Sequence, residues 1–243
     1  MNRQDKTVVL FSGGCDSVLT ASIAASSYSE VYLLTYKRWG LFMVDISNAV
    51  RRLEAAYLET KFIFKALGVD EFFKEVCYED YFKNIAKFGS MVLSICALCK
   101  LSMHYRTILF CLENNIRKVL DGTVEVEFAS EDFLKERVND MKQFLKGLYL
   151  DFGIDYGCPV YGYELGEVEK DLYRKGLAPE GRIRGGRLDK QPVCVSHLLN
   201  ACFGDYYLYR HSKEKFVKDS SRFYQHKIEY VRKRIKERID EEN

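Results

Sequence analysis

The chain is poor in proline and lacks any long uncharged hydrophobic run. It contains three prolines and sixteen glycines in 243 residues, which argues against long disordered or repetitive segments. No uncharged apolar stretch reaches the roughly 18 residues that cross a bilayer. Residues Asn2 to Lys6 are polar and lead directly into an apolar run, which is not the pattern of a secretory signal. We therefore expect a globular chain with neither a membrane span nor a leader.

The number of cysteines and the position of the basic residues both bear on the class of protein. Without a secretory signal, the eight cysteines are expected in a reducing compartment, the cytoplasm, as core residues, metal ligands or redox thiols and not as a disulfide framework. The formal net charge is only +2, but the segment from Arg210 to Arg238 holds eleven Lys or Arg against four Asp or Glu. Basic charge is thus concentrated near the C-terminus.

Short β-rich runs alternate with helical stretches along the chain. This order predicts an α/β fold, a mainly parallel sheet with helices on both faces, followed by a helical C-terminal extension. The predicted strands are Lys6 to Phe11, Val31 to Tyr36, a short one near Phe73 to Val76, and Lys118 to Gly122. The predicted helices are Val44 to Leu67, Cys96 to Asn115, Glu131 to Leu150, Gly166 to Lys175, Val193 to Phe203 and Ser221 to Arg238.

A glycine turn joins the first predicted strand to the first helix. Residues Ser12-Gly13-Gly14-Cys15-Asp16-Ser17 follow the apolar run that ends at Phe11 and precede a helix-forming segment. Two glycines let the backbone turn sharply, and the first amides of the helix remain unpaired at the positive end of its dipole. A phosphate is the expected ligand. The loop has neither the lysine of a Walker loop nor the third glycine of a dinucleotide loop.

The pattern Ser12-Gly13-Gly14-x-Asp16-Ser17 resembles the PP-loop of the N-type ATP pyrophosphatases. The resemblance implies an adenine nucleotide alpha-hydrolase-like, Rossmann-like fold that binds ATP, transfers AMP to an oxygen atom and releases pyrophosphate. It divides the chain into an ATP-binding domain over residues 1–150 and a mainly helical, substrate-facing region over residues 151–243. The alternative is an ordinary tight strand-to-helix turn that a serine caps.

Several polar residues are predicted to complete the ATP site. Asp16 is the candidate ligand for Mg²⁺, because a hard cation beside phosphate prefers carboxylate oxygen. The hydroxyls of Ser12 and Ser17 are candidate donors to phosphate, although each fits a capping role equally well. Ligands of open α/β sheets bind beyond the carboxyl ends of the strands, so the loop, the segment after Thr35 and the turn at Gly122 should converge.

A second motif is Cys96-Ala97-Leu98-Cys99, at the start of a predicted helix. Two thiols three residues apart share a helix face, and the positive helix end favours their thiolate forms. Taken alone, the motif fits four roles: buried core thiols, a structural zinc site, a redox dithiol, or a pair of iron–sulfur ligands.

Cys194 is the third cysteine of interest. Cys96, Cys99 and Cys194 resemble, in order and interval, the three cysteines of PP-loop enzymes that transfer sulfur with a 4Fe-4S cluster. The resemblance implies three protein ligands and one iron left open for an exogenous sulfide. Zinc is the alternative metal, because His197 would complete a closed Cys₃His site. In a third alternative, Cys99 or Cys194 carries a persulfide and the other resolves it.

Together these features predict adenylation of a substrate oxygen followed by sulfur insertion, with tRNA as the favoured substrate. The basic residues of the loop from Arg182 to Arg187 and of the C-terminal helix suit a polyanion, although that helix equally fits a solvated helix packed on the core. The other partners are a sulfur donor, either a protein or sulfide, with no membrane and with a homodimer allowed. Alternatives are sulfur transfer to a small molecule, an amidating or ligating enzyme with structural zinc, and a nucleotide-sensing module.

The remaining cysteines and histidines are predicted to be structural. Cys77, Cys111 and Cys202 lie in apolar sequence and are expected in the core. Cys15 occupies the variable position of the loop, where a small side chain fits. The histidines expected to have hydrogen-bonded structural roles are His104, His211 and His226.

Overall fold

The computed structural model of the chain describes residues 4–38, 46–124, 132–163, 166–178 and 195–242. The chain forms two compact units that are interleaved along the sequence. The first unit comprises residues 1–68, 111–127 and 153–192, and the second comprises residues 69–110, 128–152 and 193–243. This differs from the predicted division at residue 150, because the chain leaves the first unit after three strands and returns twice to add two more.

A parallel sheet of five strands forms the centre of the first unit. The strands are β1 (Gln4–Leu10), β2 (Tyr28–Lys37), β3 (Lys61–Gly68), β4 (Lys118–Asp121) and β5 (Asp155–Gly157). They lie in the order β3-β2-β1-β4-β5, and every neighbouring pair is parallel. Val8 and Val9 of the central strand are fully buried, as expected for a parallel strand whose two faces are both covered. The predicted parallel α/β sheet is confirmed.

Within the described ranges the α-helices are α1 (Cys15–Ala25), α2 (Ser47–Ala56), α3 (Asp70–Tyr78), α4 (Tyr81–Phe88), α5 (Ile95–Glu113), α6 (Asp132–Leu150), α7 (Glu167–Arg174), α8 (Val195–Arg210) and α9 (Lys213–Glu242). In the first unit, α1, α2 and α7 share one hydrophobic core with β1 and β2. Leu19, Leu53 and Leu172 are their fully buried contributions. This core holds the beginning of α1 at the carboxyl end of β1.

The second unit is helical. Its longest helix, α9, packs against α6 and buries a stripe at helical spacing. The stripe consists of Tyr224, Ile228, Val231 and Ile235. The predicted C-terminal amphipathic helix is therefore confirmed. By length and composition alone, one described helix, α5, would be apolar enough to cross a membrane, and 56% of its most apolar window is buried inside the protein.

Two predicted elements are wrong, and one strand was missed. The predicted helix from Val44 to Leu67 contains α2, but its second half is β3, because Phe62-Ile63-Phe64 pairs with β2 at Val31, Tyr32 and Leu33. The strand predicted near Phe73 to Val76 lies inside α3, where those two residues are buried one helical turn apart. The missed strand, β5, is only three residues long.

Candidate functional site

The strand order reverses between β1 and β4. From β1 the chain adds β2 and β3 on one side of the sheet and later places β4 and β5 on the other side. At such a reversal the connections leave the sheet in opposite directions and open a crevice at the carboxyl ends of the strands, where α/β proteins bind ligands. The segments that begin there are residues 11–14 after β1 and residues 122–124 after β4. The fold places the crevice at the glycine loop.

Gly13 makes the sharp turn between β1 and α1. Its φ of +76° lies in the left-handed region, and a Cβ there would come within 2.8 Å of Cγ2 of Ile46. Gly14 is the N-cap of α1 in an extended conformation and, as a glycine, has no side chain that could bond to the first amides of the helix. The first amides of α1 are beyond the reach of intrahelical carbonyls and lie at the positive end of the helix dipole. The turn therefore has the construction of an anion site.

The two loop serines bond to the loop and to each other. Ser17 Oγ donates to the Gly14 carbonyl at 2.9 Å, and the Gly14 amide donates to Ser12 Oγ at 3.3 Å. The two hydroxyl oxygens lie 3.3 Å apart. Ser17 is buried and Ser12 is exposed. Ser17 thus shapes the loop from within and Ser12 lies at its surface, while a phosphate contact by either stays a prediction.

Gly122 lies directly against the first turn of α1. A Cβ at Gly122 would meet the amide nitrogen of Ser17 at 2.9 Å and the carbonyl carbon of Asp16 at 3.0 Å, both backbone atoms. Only glycine fits there without a shift of the helix. The Asp16 carboxylate belongs to this same turn and is half-buried. The structure therefore brings Gly122 and Asp16 together, and Mg²⁺ binding by Asp16 stays a prediction.

Thr35 joins the ends of the two strands beside the loop. Its Oγ1 donates to the carbonyl of Phe11 at 2.7 Å, and the Phe11 amide donates to the carbonyl of Leu34 at 2.8 Å. The three predicted segments thus converge at one edge of the sheet. The described role of Thr35 is to hold the start of the loop against β2.

A buried carboxylate, Asp121, lies beside the loop, in the turn that the sequence predicts there but with a bond to Tyr156 that it does not predict. Asp121, the last residue of β4, accepts a hydrogen bond from the Tyr156 hydroxyl at 2.7 Å and from the Thr123 amide at 3.0 Å. The thiol of Cys158 lies 3.5 Å from the same hydroxyl. Burial, and then the charges of Asp121 and Cys158, raise the pKa of Tyr156 well above its ordinary value of 10. The phenol therefore keeps its proton and donates a hydrogen bond to the carboxylate.

Cys15, inside the loop, is chemically quiet. Burial raises its pKa to about 12, and the charges of Asp16 and Glu169 act in the same direction. The thiol therefore stays protonated at neutral pH and is a poor nucleophile and metal ligand. This supports the prediction that Cys15 is present because a small side chain fits.

The predicted cysteine pair lies in the second unit. Cys96 and Cys99 are half-buried in the first turns of α5. Burial lowers the pKa of Arg137 on α6, and the charges of Tyr224 and Cys96 oppose that lowering. The guanidinium carbon of Arg137 lies 5.1 Å from the centre of the Phe216 ring. Cys96 therefore lies close enough to this guanidinium for their charges to interact.

The third predicted ligand, Cys194, lies outside the described residues, as does the basic loop from Arg182 to Arg187. Among the residues that the structure describes, no three His, Cys, Asp or Glu side chains are grouped to hold a metal. Cys96 and Cys99 thus supply two of the three predicted thiols. Their donor chemistry fits both a 4Fe-4S cluster and Zn²⁺.

The other cysteines differ in burial. Cys111 is fully buried and burial raises its pKa to about 12, which confirms a core position. Cys77 is only half-buried. The prediction for Cys202 is wrong, because α8 buries Phe203 and Tyr207, one turn apart, and Cys202 lies off that face and is exposed.

Two of the three histidines have the predicted structural role. His104 is buried and hydrogen bonds with the Tyr149 hydroxyl at 2.9 Å, and His226 hydrogen bonds with Oδ1 of Asn84 at 3.1 Å. His211 is exposed and packs its ring 4.6 Å from that of Tyr207.

The arginines of α9 are largely neutralised within the second unit. Arg232 pairs with Asp151 at 2.6 Å and Arg234 with Glu75 at 3.4 Å. Arg238 pairs with Glu71 at 2.9 Å and with Glu75 at 2.8 Å. These pairs support the packed-helix alternative for α9 over a free basic surface.

No known protein family and no curated protein matches the sequence. Among solved structures, the chain is similar to a protein from Methanocaldococcus jannaschii described as a predicted subunit of tRNA methyltransferase, with 18% identity and a TM-score of 0.41 over 70% of this chain and 76% of that one. It is also similar to the U34-tRNA thiolase NcsA from Methanococcus maripaludis with its [4Fe-4S] cluster, with 12% identity and a TM-score of 0.46 over 93% of this chain and 73% of that one.

Proposed function

We propose that this protein binds ATP and Mg²⁺ at the loop of residues 11–17, adenylates an oxygen of a tRNA base and replaces that oxygen by sulfur. The observation that carries the proposal is the pair of glycines at the reversal of the sheet. Gly13 has a left-handed backbone and Gly122 lies against the backbone of α1. Because neither glycine has a side chain, a phosphate can approach the amides of the first turn of α1 closely. The resemblance to the PP-loop enzymes supplies the reaction type.

In the first step, a carbonyl oxygen of the base attacks the α-phosphorus of ATP. A new oxygen–phosphorus bond forms, the bond to the outer phosphates breaks, and pyrophosphate leaves. The amides of the first turn of α1 bind the phosphates, and Ser12 at the loop surface donates its hydroxyl. Asp16 is the residue that would hold Mg²⁺, whose chemistry when bound would be to compensate the charge on the pyrophosphate. Adenylation turns the base oxygen into a good leaving group.

In the second step, hydrosulfide adds to the activated carbon, the carbon–oxygen bond breaks, and AMP leaves with the electron pair. The proton on sulfur passes to water. Cys96, Cys99 and Cys194 are the residues that would hold a 4Fe-4S cluster, whose chemistry when bound is to present sulfide at an open iron. A sulfur donor, either a protein or free sulfide, replaces the sulfur after each turnover.

Pyrophosphate release tests the first step. Purified protein is incubated with ATP, Mg²⁺, sulfide and bulk tRNA, and we expect pyrophosphate only when tRNA is present and a thiolated nucleoside in digests analysed by mass spectrometry. Asp16→Asn should reduce both products together. Release with ammonia but not sulfide would indicate an amidating enzyme, and release with small carboxylates instead of tRNA would indicate a small-molecule substrate. Binding of ATP without release would indicate a nucleotide-sensing module.

Metal analysis tests the second step. Protein purified without oxygen should be brown and contain about four iron atoms per chain. Cys96→Ala and Cys194→Ala should lose the colour and the iron, whereas Cys202→Ala, at an exposed cysteine of α8, should keep both. Colourless protein with one zinc atom would favour the closed Cys₃His alternative. Unchanged metal content in Cys194→Ala would remove Cys194 from the site.

A further inference from the structure

The second unit exposes an aromatic surface at α3 and α4. Phe82 is 84% exposed, Tyr78 is 62% exposed and Ile85 is 39% exposed. The rings of Tyr78 and Tyr81 have centroids 6.2 Å apart, and those of Tyr81 and Phe82 are 5.9 Å apart, both in edge contact. These four residues, Tyr78, Tyr81, Phe82 and Ile85, are called the α4 patch. The three rings contact one another in turn, and Ile85 lies one helical turn after Tyr81 and Phe82 on α4. The patch is therefore one surface and not a set of scattered side chains.

Helix α4 buries a polar side chain and exposes apolar ones, the opposite of a usual amphipathic helix. Its buried residue is Asn84, whose amide donates to the Glu79 carbonyl at 2.8 Å and whose Oδ1 hydrogen bonds with His226 at 3.1 Å. These two polar contacts hold the helix with Phe82 and Ile85 outward. Exposure of contiguous apolar side chains is unfavourable in water and marks an interaction surface in a folded protein.

Two cations lie at Phe88, three residues after Ile85 at the end of α4. The ammonium of Lys87 and the guanidinium of Arg222 lie 5.0 Å and 5.6 Å from the centre of the Phe88 ring. No ion pair joins either of them to an acidic residue in the part of the chain that the structure describes. The nearby Asp80 carboxylate is already paired with Lys83 at 2.7 Å. The available charge at this surface is therefore positive.

We propose that the α4 patch, with Lys87 and Arg222, binds an unpaired stretch of the RNA substrate, with bases stacked on Phe82 and Tyr78 and phosphates at the two cations. The inference rests on the proposed function, in which that RNA is tRNA. Unpaired nucleotides in RNA loops present base faces to aromatic side chains, and stacking tolerates any base. Cations at Phe88, at the end of the same helix, suit the phosphates that link the bases.

A second copy of the chain fits this surface less well. Symmetric association of two α4 patches would also bring two sets of Lys87 and Arg222 toward one another, and like charges at an interface are unfavourable. The separation of apolar rings from unpaired cations instead matches the alternation of base and phosphate in a nucleic acid strand.

The experiment measures binding of the full chain to bulk tRNA at several KCl concentrations. Phe82→Ala should weaken binding about tenfold with an unchanged dependence on salt, because stacking involves no charge. The double variant Lys87→Gln with Arg222→Gln should reduce the slope of log K against log[KCl] by roughly 1.5, because two phosphate contacts are lost. Phe82→Tyr should retain the affinity of the unmodified protein.

Helix α7 of the first unit provides matched controls of similar length and exposure. Tyr173→Ala, and Lys170→Gln with Lys175→Gln, remove an exposed ring and two exposed cations there and should leave tRNA binding unchanged. Unchanged binding by both α4 variants would overturn the proposed surface while leaving the proposed function standing. Failure of the unmodified protein to bind any tRNA would overturn both. A dimer in sedimentation that Phe82→Ala converts to monomer would make the patch an interface between copies and overturn the proposal.

Discussion

The Tyr156 hydroxyl donates a 2.7 Å hydrogen bond to Oδ2 of Asp121 at the carboxyl ends of β5 and β4. Both groups are buried, and Asp121 precedes the glycine that packs on α1. The bond therefore fixes a carboxylate at the edge of the candidate ATP site.

Tyr156→Phe should remove the stronger of the two described donors to Asp121 and raise the pKa of that carboxyl, because hydrogen bonding to a carboxylate favours its charged form. We expect a loss of about 1–3 kcal/mol in the free energy of unfolding. The pH below which the affinity for ATP falls should also be higher in this variant. Urea unfolding and the ATP dissociation constant from pH 5 to 8 measure the two effects.

Tyr163→Phe is the matched control for that change, because Tyr163 donates at 3.3 Å to a different carboxylate, that of the half-buried Asp171 on α7. It should alter stability by less and leave the pH profile of ATP binding in place. If Tyr156→Phe had the same pH profile as the unmodified protein, Asp121 would have no role in ATP binding.

Gly122→Ala should disrupt ATP binding. Its Cβ would lie within about 3 Å of the backbone of Asp16 and Ser17, so the start of α1 must shift. Overpacking of this kind costs about 1–3 kcal/mol of stability, and displaced amides should weaken ATP binding more than tenfold. Isothermal titration with ATP and Mg²⁺ measures the change. Gly162→Ala, where a Cβ meets nothing within 4 Å, should bind ATP normally; equal affinity of the two variants would show that α1 does not contact the nucleotide.

Cys15 should resist alkylation in the folded protein. Its pKa is raised from 9.0 to about 12, so at pH 9 its thiolate fraction is roughly a thousandfold below that of an ordinary cysteine. Mass spectrometry after timed treatment with iodoacetamide should show labelling of the exposed Cys202 well before Cys15. Comparable labelling rates at pH 8 would contradict the buried environment of the loop thiol.

The same shift predicts how stability changes with pH. The unfolded chain releases the Cys15 proton near pH 9, whereas the folded chain retains it until about pH 12. The contribution is therefore complete below pH 9 and is lost as the pH rises from 9 to 12. Cys15→Ala should show a smaller decline in the free energy of unfolding across that range.

The double variant Lys227→Met with Glu79→Met should leave the protein equally stable or more stable. Lys227 is almost completely buried, and its ammonium lies 3.5 Å from Oε2 and 3.4 Å from the backbone oxygen of Glu79. Burial lowers its pKa, and replacement of a buried ion pair by an apolar side chain of similar volume is often neutral or favourable. Urea unfolding at pH 7 measures the change.

The lowered pKa of Lys227 also has a pH signature. Folding disfavours its charged form, so stability should rise as the pH approaches 10.5, and Lys227→Met should lack that rise. Lys233→Met, at an exposed side chain, should change stability by less than about 0.5 kcal/mol. A loss of several kcal/mol in the double variant would show that the ion pair itself stabilises the second unit.

Much of the fold could be predicted because local patterns agreed with the final packing. The predicted starts of α5 and α6 lie within one residue of the observed ones, since their apolar positions recur at helical spacing. The prediction failed where a pattern fits two structures. Phe62-Ile63-Phe64 extends a helical pattern in the sequence but forms the edge strand β3, because pairing with β2 outweighs local spacing.

The candidate site likewise has one part that the sequence predicts and one part that it does not. The loop of residues 12–17 could be located from sequence, because glycine and the start of a helix are enough to build a phosphate site. The bond between Asp121 and Tyr156 could not, because the two residues are far apart in sequence and meet only through the pairing of β4 with β5.

The amino-acid sequence by itself determined the glycine turn of residues 12–17, the two-thiol helix face at Cys96 and Cys99, and the alternation of strands and helices, because each depends on covalent neighbours within a few turns of chain. Tertiary structure alone decided that Gly122 supports α1, that Asp121 is held by Tyr156, and that α4 turns its rings outward around Asn84. Those features depend on strand order and on contacts between distant segments, which no local pattern encodes.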